Sequence, residues 1–133
     1  MRMRFKPYAG PELAACPFCV DEPMQNKGRW NEQFARPAQP LMLELGCGKG
    51  KFLAQMAVAH PENNYIGIDI TAKVLILTKR NIDRAYAQAG REVDNVRILT
   101  HDIERIRSMM GEGDRVSRIY INFCNPWSKN GSS

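Results

Sequence analysis

The chain has 133 residues, of which 44% are hydrophobic and 25% are charged, and its formal net charge is +5. This length and composition are typical of one folded domain, and they exclude a disordered chain or a two-domain protein. No apolar run reaches the length of a membrane span, so we expect a cytoplasmic protein without a membrane partner. The basic balance permits an anionic partner.

The first forty residues are repeatedly interrupted by proline and differ in pattern from the rest of the chain. We therefore divide the chain into a basic extension with short helices, residues 1–40, and an α/β domain, residues 41–133. Within the extension, residues 26–34 are predicted to be helical. Trp30 and Phe34 would share one face of that helix and pack against the domain.

Cys16 and Cys19 have the spacing of redox and zinc sites. A structural zinc ion needs four ligands, and His60 and His101 offer no paired spacing, so no metal site is expected. Redox motifs of this spacing usually belong to a βαβ unit, which this stretch precedes. We expect two reduced thiols in a loop, with a redox role as the alternative.

From Leu41 onward, apolar strands alternate with helices. The predicted strands cover residues 41–45, 65–70, 96–100 and 118–123, and the predicted helices cover 51–60, 71–90 and 103–110. Continuous apolar strands separated by helices are typical of a parallel sheet covered on both faces, so the expected fold class is α/β and doubly wound. Ligands bind such sheets at the carboxyl ends of the strands.

Acidic residues follow three of these strands. Glu44 precedes a glycine loop of the form GxGxG, Asp69 ends the second strand in a position that suits a ribose diol, and Asp102 follows the third strand near a possible adenine edge. Three carboxylates would repel a pyrophosphate, and a dinucleotide usually requires GxGxxG. S-adenosylmethionine, which carries a ribose, an adenine and a positive centre without phosphate, fits the pattern better.

The chain resembles the bacterial tRNA (guanine-N7)-methyltransferases in three stretches, which read LELGCGKGKFLAQMA, NNYIGIDI and RIYINFCNPW, and in Lys129. The resemblance covers nearly the whole chain, and it implies a Rossmann-like enzyme that transfers a methyl group from S-adenosylmethionine to N7 of a guanine in tRNA. It also implies that Asn125 is the catalytic position, beside both cofactor and guanine, and that Lys129 contacts the tRNA. The indole of Trp127 suits stacking on a base of the tRNA, with packing within the protein as the alternative. The cofactor-binding residues expected from pattern and resemblance are Glu44, Gly46, Cys47, Gly48, Asp69, Ile70, Asp102, Ile103 and Asn125.

The sequence departs from that family in two ways. Asn125 stands where the family usually has Asp, and the later basic stretch and C-terminal strands of the family are missing after Lys129. The Asn-Pro-aromatic order also resembles the amino-methyltransferases that act on adenine or glutamine nitrogen. A fragment that binds cofactor or RNA without turnover is the non-enzyme alternative. We further expect the fourth strand to be an exposed apolar edge, so that the chain either self-associates through it or is a poorly stable fragment of a longer protein.

Overall fold

A computed structural model describes residues 10–46 and 50–122, without the side chain of Asn122. Its four strands form one parallel sheet in the order β3-β2-β1-β4. The strands are β1 (Leu41–Gly46), β2 (Asn64–Asp69), β3 (Val96–Thr100) and β4 (Arg118–Asn122). Each lies within one residue of its predicted bounds, and the expected α/β fold with a parallel sheet is confirmed.

In the part of the chain that the structure describes, three α-helices accompany the sheet: α1 (Gly10–Ala14), α2 (Lys51–Ala59) and α3 (Ala72–Ala89). The hydroxyl of Thr71 accepts a hydrogen bond from the N–H of Val74 at 3.2 Å and begins α3. Gly90, with φ of 70°, ends it in the left-handed conformation. No helix in the described residues is long and apolar enough to cross a membrane.

The chain order fixes the face on which each helix lies. Along the chain, β2 is added beside β1 and β3 is added beside β2, so the sheet grows in one direction through α2 and α3. Right-handed crossovers then place α2 and α3 on one face of the sheet, where they pack against each other. β4 is added on the other side of β1, so the direction of the chain reverses between β1 and β4, and this reversal is the switch point of the fold.

Two core clusters fill the two faces of the sheet. The first lies under α2 and α3 and also takes in Leu13 and Phe18 from residues 10–40, which we call the amino-terminal segment. The second, on the opposite face, is built around Trp30 and Phe34, which are 0% and 4% exposed. The prediction that these two aromatic rings pack against the domain is confirmed.

The predicted helix over residues 26–34 is wrong. Two 3-10 helices, Pro23–Asn26 and Trp30–Gln33, stand in its place, separated at Gly28, whose φ is 81°. The carboxylate of Asp114 accepts hydrogen bonds from the N–H groups of Gly28 at 2.8 Å and Trp30 at 2.7 Å. These two N–H groups, which in a continuous helix would donate to carbonyls of the helix itself, donate instead to a side chain more than eighty residues away. The predicted helix over residues 103–110 is likewise a 3-10 helix, Ile103–Ser108.

The amino-terminal segment also covers the outer edge of β3. The N–H of Val20 donates to the carbonyl of Ile98 at 2.8 Å, and the N–H of Ile98 donates to the carbonyl of Phe18 at 3.0 Å. Because an exposed strand edge pairs readily with other chains, this short parallel bridge shields β3. The segment therefore belongs to the packing of the domain on both faces and at one edge.

Candidate functional site

Three carboxyl groups lie at one edge of the sheet, where β1, β2 and β3 end. Asp69 is the last residue of β2 and is in register with Thr100 of β3, and Asp102 follows two residues later. Glu44 of β1 is in register with Gly67, two residues before Asp69. The structure thus brings the three predicted acidic residues to the carboxyl ends of neighbouring parallel strands, which is the ligand-binding edge of such sheets.

Asp69 is held in place by the two elements that flank it. It is only 6% exposed, and its Oδ2 accepts a hydrogen bond from the Thr78 hydroxyl of α3 at 3.5 Å. Its main-chain carbonyl accepts a hydrogen bond from the N–H of His101 at 3.0 Å. The position of this carboxylate is therefore set by the packing of α3 and by the turn after β3.

A cleft of about 730 Å³ opens beside the ends of β2 and β3. Ile70, immediately after Asp69, is 66% exposed, and Met24 reaches the cleft from the amino-terminal segment with 57% of its surface exposed. Exposed apolar side chains next to a carboxyl group suit a flat heterocycle that carries an amino group. The cleft is lined by Met24, Ile70, Thr100, His101, Asp102, Arg105 and Ser108.

Asp102 and His101 are oriented by the 3-10 helix that follows them. Oδ1 of Asp102 accepts a hydrogen bond from the N–H of Glu104 at 3.0 Å and so caps this helix. The Nε2 atom of His101 lies 2.9 Å from the Ser108 hydroxyl and 3.1 Å from the carbonyl of Arg105. Both cleft residues are thus fixed by local hydrogen bonds and do not depend on a ligand for their placement.

A smaller cavity of about 250 Å³ lies at the switch point between β1 and β4. Glu44 lines it together with Phe52, Tyr120 and Ile121. The rings of Phe52 and Tyr120 meet edge to face with centroids 5.4 Å apart. Burial among these side chains raises the pKa of Glu44 above its ordinary value of 4.5, because the charged form loses solvation.

The loop between β1 and α2 requires glycine at its two described ends. Gly46 has φ of 143° and Gly50 has φ of 80°, conformations that other residues rarely adopt. A Cβ on Gly50 would also lie 2.5 Å from the Cγ2 of Thr78, the residue that bonds Asp69. The close approach of this loop to α3 therefore depends on glycine, and the same contact reaches the Asp69 carboxylate.

Of the remaining predicted site residues, only some lie in the part of the chain that the structure describes. Ile103 packs against the second core cluster, so its side chain contributes to the sheet's opposite face. Five others lie outside the described residues: Cys47, Gly48, Asn125, Trp127 and Lys129. Within residues 10–46 and 50–122, no group of three or more His, Cys, Asp or Glu side chains is arranged to hold a metal ion.

Sequence reasoning missed most of the residues that line the two cavities, among them Met24, Phe52 and Tyr120. Met24 was hidden in the proline-rich extension, and Phe52 has helical spacing with core residues although it is 43% exposed. Tyr120 alternates with Ile119 and Ile121 along β4 and is in register with Glu44, so it shares the face of that residue. The alternation along the strand was the signal that could have identified Tyr120.

The chain is similar to proteins of a known family. A family model described as "Putative methyltransferase" matches residues 38–132. That range begins just before β1 and contains every strand of the sheet.

Several curated relatives carry the name tRNA (guanine-N(7)-)-methyltransferase. The protein of Clostridium perfringens (strain SM101 / Type A) is 50% identical over 129 residues, which cover 97% of this chain and 59% of that protein. The protein of Clostridium beijerinckii is 53% identical over 97% of this chain and 58% of its own length. That of Acetivibrio thermocellus is 46% identical over 98% and 59%. The chain spans about three-fifths of the length of these relatives.

Proposed function

The chain belongs to this family of methyltransferases, and we propose that it serves the transfer of a methyl group from S-adenosylmethionine to N7 of a guanine in tRNA. The observation that carries the proposal is the set of three carboxyl groups at the ends of β1, β2 and β3 beside a glycine loop. The name that the relatives carry, tRNA (guanine-N(7)-)-methyltransferase, supports the choice of base and nucleic acid. A tRNA substrate would place the reaction in the cytoplasm.

The donor set fits S-adenosylmethionine better than a dinucleotide. The Asp69 carboxylate at the end of β2 suits the two ribose hydroxyls, and the exposed Ile70 and Met24 beside Asp102 suit an adenine ring and its amino group. Glu44, at the switch point, would face the positively charged end of the cofactor. A pyrophosphate would instead lie near three carboxyl groups, and their negative charges would repel those of the phosphates.

The reaction requires the protein mainly to align guanine N7 with the methyl group of the cofactor. Bound S-adenosylmethionine supplies an electrophilic methyl group on a cationic sulfur. Guanine N7 has an in-plane lone pair and no proton, so no general base is required, and rate is gained by orienting the base and stabilising its growing positive charge. We assign the orienting and stabilising role to Asn125, whose amide oxygen offers a dipole where a carboxylate would offer a full charge. Trp127 and Lys129 are proposed to contact the tRNA by stacking and by phosphate binding.

The first test concerns the cofactor. Asp69→Ala should weaken binding of S-adenosylhomocysteine at least about tenfold, because hydrogen bonds to a charged group contribute about 1.5–3 kcal/mol each. Calorimetry measures this, with Glu92→Ala, an exposed position, as the matched control. Tight binding of NADH without binding of the adenosyl compound would overturn the cofactor assignment.

The second test concerns the reaction. Single-turnover methylation of undermethylated tRNA, followed by mass analysis of nucleosides, should give 7-methylguanosine as the product. A product methylated on an exocyclic nitrogen would support the amino-methyltransferase alternative. Cofactor binding without any methylated product would support a binding fragment without turnover.

We also propose that the 133-residue chain self-associates through β4. Within the described residues, β4 is the outer strand of the sheet, and its Ile119 and Ile121 are 54% and 57% exposed. Apolar outer strands pair with other chains, and a second copy offers an identical edge. Sedimentation at increasing concentration should show dimers that Ile121→Lys abolishes. Equal monomer populations for both proteins would exclude this interface.

A further inference from the structure

The spacing Cys16-Pro-Phe-Cys19 brings two free thiols together in the turn after α1. The Sγ atom of Cys19 donates a hydrogen bond to the Sγ atom of Cys16 across 2.7 Å. That separation exceeds a disulfide bond of about 2.04 Å by roughly 0.7 Å. The two sulfurs can therefore be joined by a small movement of the turn.

The surroundings differentiate the two thiols. The hydrogen bond from Cys19 lowers the pKa of Cys16, and the positive charge of Lys79 on α3 acts in the same direction. The same hydrogen bond, together with burial, raises the pKa of Cys19. Cys16 is therefore the sulfur that ionises first, and Cys19 holds the proton beside it. This division matches that of a nucleophilic thiolate and a neighbouring resolving thiol.

Burial limits what can reach the pair. Cys16 is 6% exposed, and Cys19 is half-buried. A bulky disulfide reagent could approach only Cys19, the thiol that is harder to ionise. A molecule close to the size of water could reach Cys16.

We propose that Cys16 and Cys19 form a reversible dithiol–disulfide couple whose oxidant is hydrogen peroxide. The Cys16 sulfur attacks one peroxide oxygen, the O–O bond breaks, and the departing hydroxide takes up the thiol proton as water. Cys16 is then a sulfenic acid. The Cys19 sulfur attacks the Cys16 sulfur, the S–O bond breaks, and the second hydroxide leaves with the Cys19 proton as water. In sum, two thiols lose two electrons and two protons while one peroxide is reduced to two waters.

The oxidised turn remains compatible with the sheet. Within the pair and directly after it, the hydrogen bonds that join Phe18 and Val20 to Ile98 hold this stretch against β3. Because the sulfurs need to approach by less than 1 Å, we expect these bonds to persist in the disulfide form. A thiol reductant would return the pair to its reduced state.

The experiment uses the full 133-residue chain with Cys47→Ser and Cys124→Ser, so that the pair supplies its only thiols. One equivalent of hydrogen peroxide should remove both thiols together and lower the intact mass by about 2 Da, and dithiothreitol should reverse the change. Oxidised glutathione at the same concentration should react at least about fivefold more slowly, because Cys16 is buried. Equal rates with the two oxidants would overturn the peroxide assignment.

Two comparisons separate the pair from ordinary thiols. Adding Cys19→Ser or Cys16→Ser should slow peroxide consumption at least about fivefold and yield products that gain oxygen. A single-thiol variant that reacts as fast as the pair would overturn the proposal. Should either variant fail to fold, the test is the rate of peroxide consumption by the chain with Cys47→Ser and Cys124→Ser, measured in concentrated urea and in buffer. A rate unchanged by unfolding would show that the folded geometry contributes nothing.

Discussion

At the scale of single residues, Glu44 is subject to opposite demands from folding and from ligand binding. Burial beside Phe52 and Tyr120 raises its pKa above 4.5, so the folded chain holds the proton more tightly than the unfolded chain does. The free energy of unfolding must then fall as pH rises from about 4.5 through the folded-state pKa. At neutral pH the ionised carboxyl group costs stability, and a cationic ligand beside it would offset that cost.

Glu44→Gln should therefore be more stable than the parent near pH 7, because glutamine cannot ionise, while the two proteins should converge below about pH 4.5. The same variant should bind S-adenosylmethionine more weakly. Urea unfolding at several pH values and calorimetry measure the two effects, with the exposed Glu92→Gln as control. A stability difference that does not vary with pH would contradict the assigned cause.

Asn125 carries the second prediction at this scale, although it lies outside the described residues. If the transferred methyl leaves a cationic guanine, Asn125→Asp should keep the single-turnover rate or raise it by up to about tenfold, since a carboxylate stabilises that charge better than an amide. Cofactor affinity is measured alongside to separate binding from chemistry. A large fall in rate would mean that the amide acts as a hydrogen-bond donor, as in the amino-methyltransferases.

At the scale of elements, Asp114 joins the amino-terminal segment to the loop before β4. Its carboxylate accepts hydrogen bonds from the N–H groups of Gly28, Trp30 and Gly111 at 2.7–2.8 Å. Asp114→Ala should lower the free energy of unfolding by about 2–4 kcal/mol, because half-buried donors lose a charged partner. Glu112→Ala, an exposed change in the same loop, should cost less than about 0.5 kcal/mol. Similar urea midpoints for the two variants would show that Asp114 does not anchor the segment.

The docking of α1 on α3 should depend on pH. Glu12 receives hydrogen bonds from Arg80 at 2.8 and 3.1 Å and from Lys79 at 3.2 Å, and these bonds, with Arg80 first, lower the pKa of Glu12 to about 2. The stabilisation is therefore complete above about 4.5 and is lost as pH falls through about 2. The protection of the α1 amides against hydrogen exchange, relative to an unfolded chain at the same pH, should therefore fall over that range. The fall should be smaller in high salt. Glu12→Gln should remove this pH dependence, and an unchanged profile would contradict the assignment.

At the scale of the whole molecule, the sequence predicted the sheet well because each strand is a short, largely apolar run set between polar residues, glycine or proline. The same pattern placed Glu44, Asp69 and Asp102 at strand ends, since parallel strands share one carboxyl edge. It did not predict that Glu44 and Asp102 line different cavities, because Glu44 lies within β1 beside Tyr120 of β4, whereas Asp102 lies after β3 and caps the 3-10 helix.

The amino-terminal segment was predicted less well for a physical reason. The helical spacing of Trp30 and Phe34 correctly indicated that both rings are buried. The backbone conformation, however, is set by N–H groups that donate to the carboxylate of Asp114, far along the chain. Local propensity carries no information about such a partner. Met24 reached the cleft for the same reason, since its position follows from how this segment crosses the sheet.

The long separations within these contacts have a consequence for synthesis on the ribosome. Trp30 bonds Met109 and Asp114, which lie 79 and 84 positions later, and Val20 pairs with Ile98. Chains are made from the amino terminus at roughly 5–20 residues per second, and distant contacts form slowly because a large loop must close first. The amino-terminal segment is therefore made before its partners and can dock only after they have been made. Until residues near 114 have emerged, its aromatic side chains are open to chaperones.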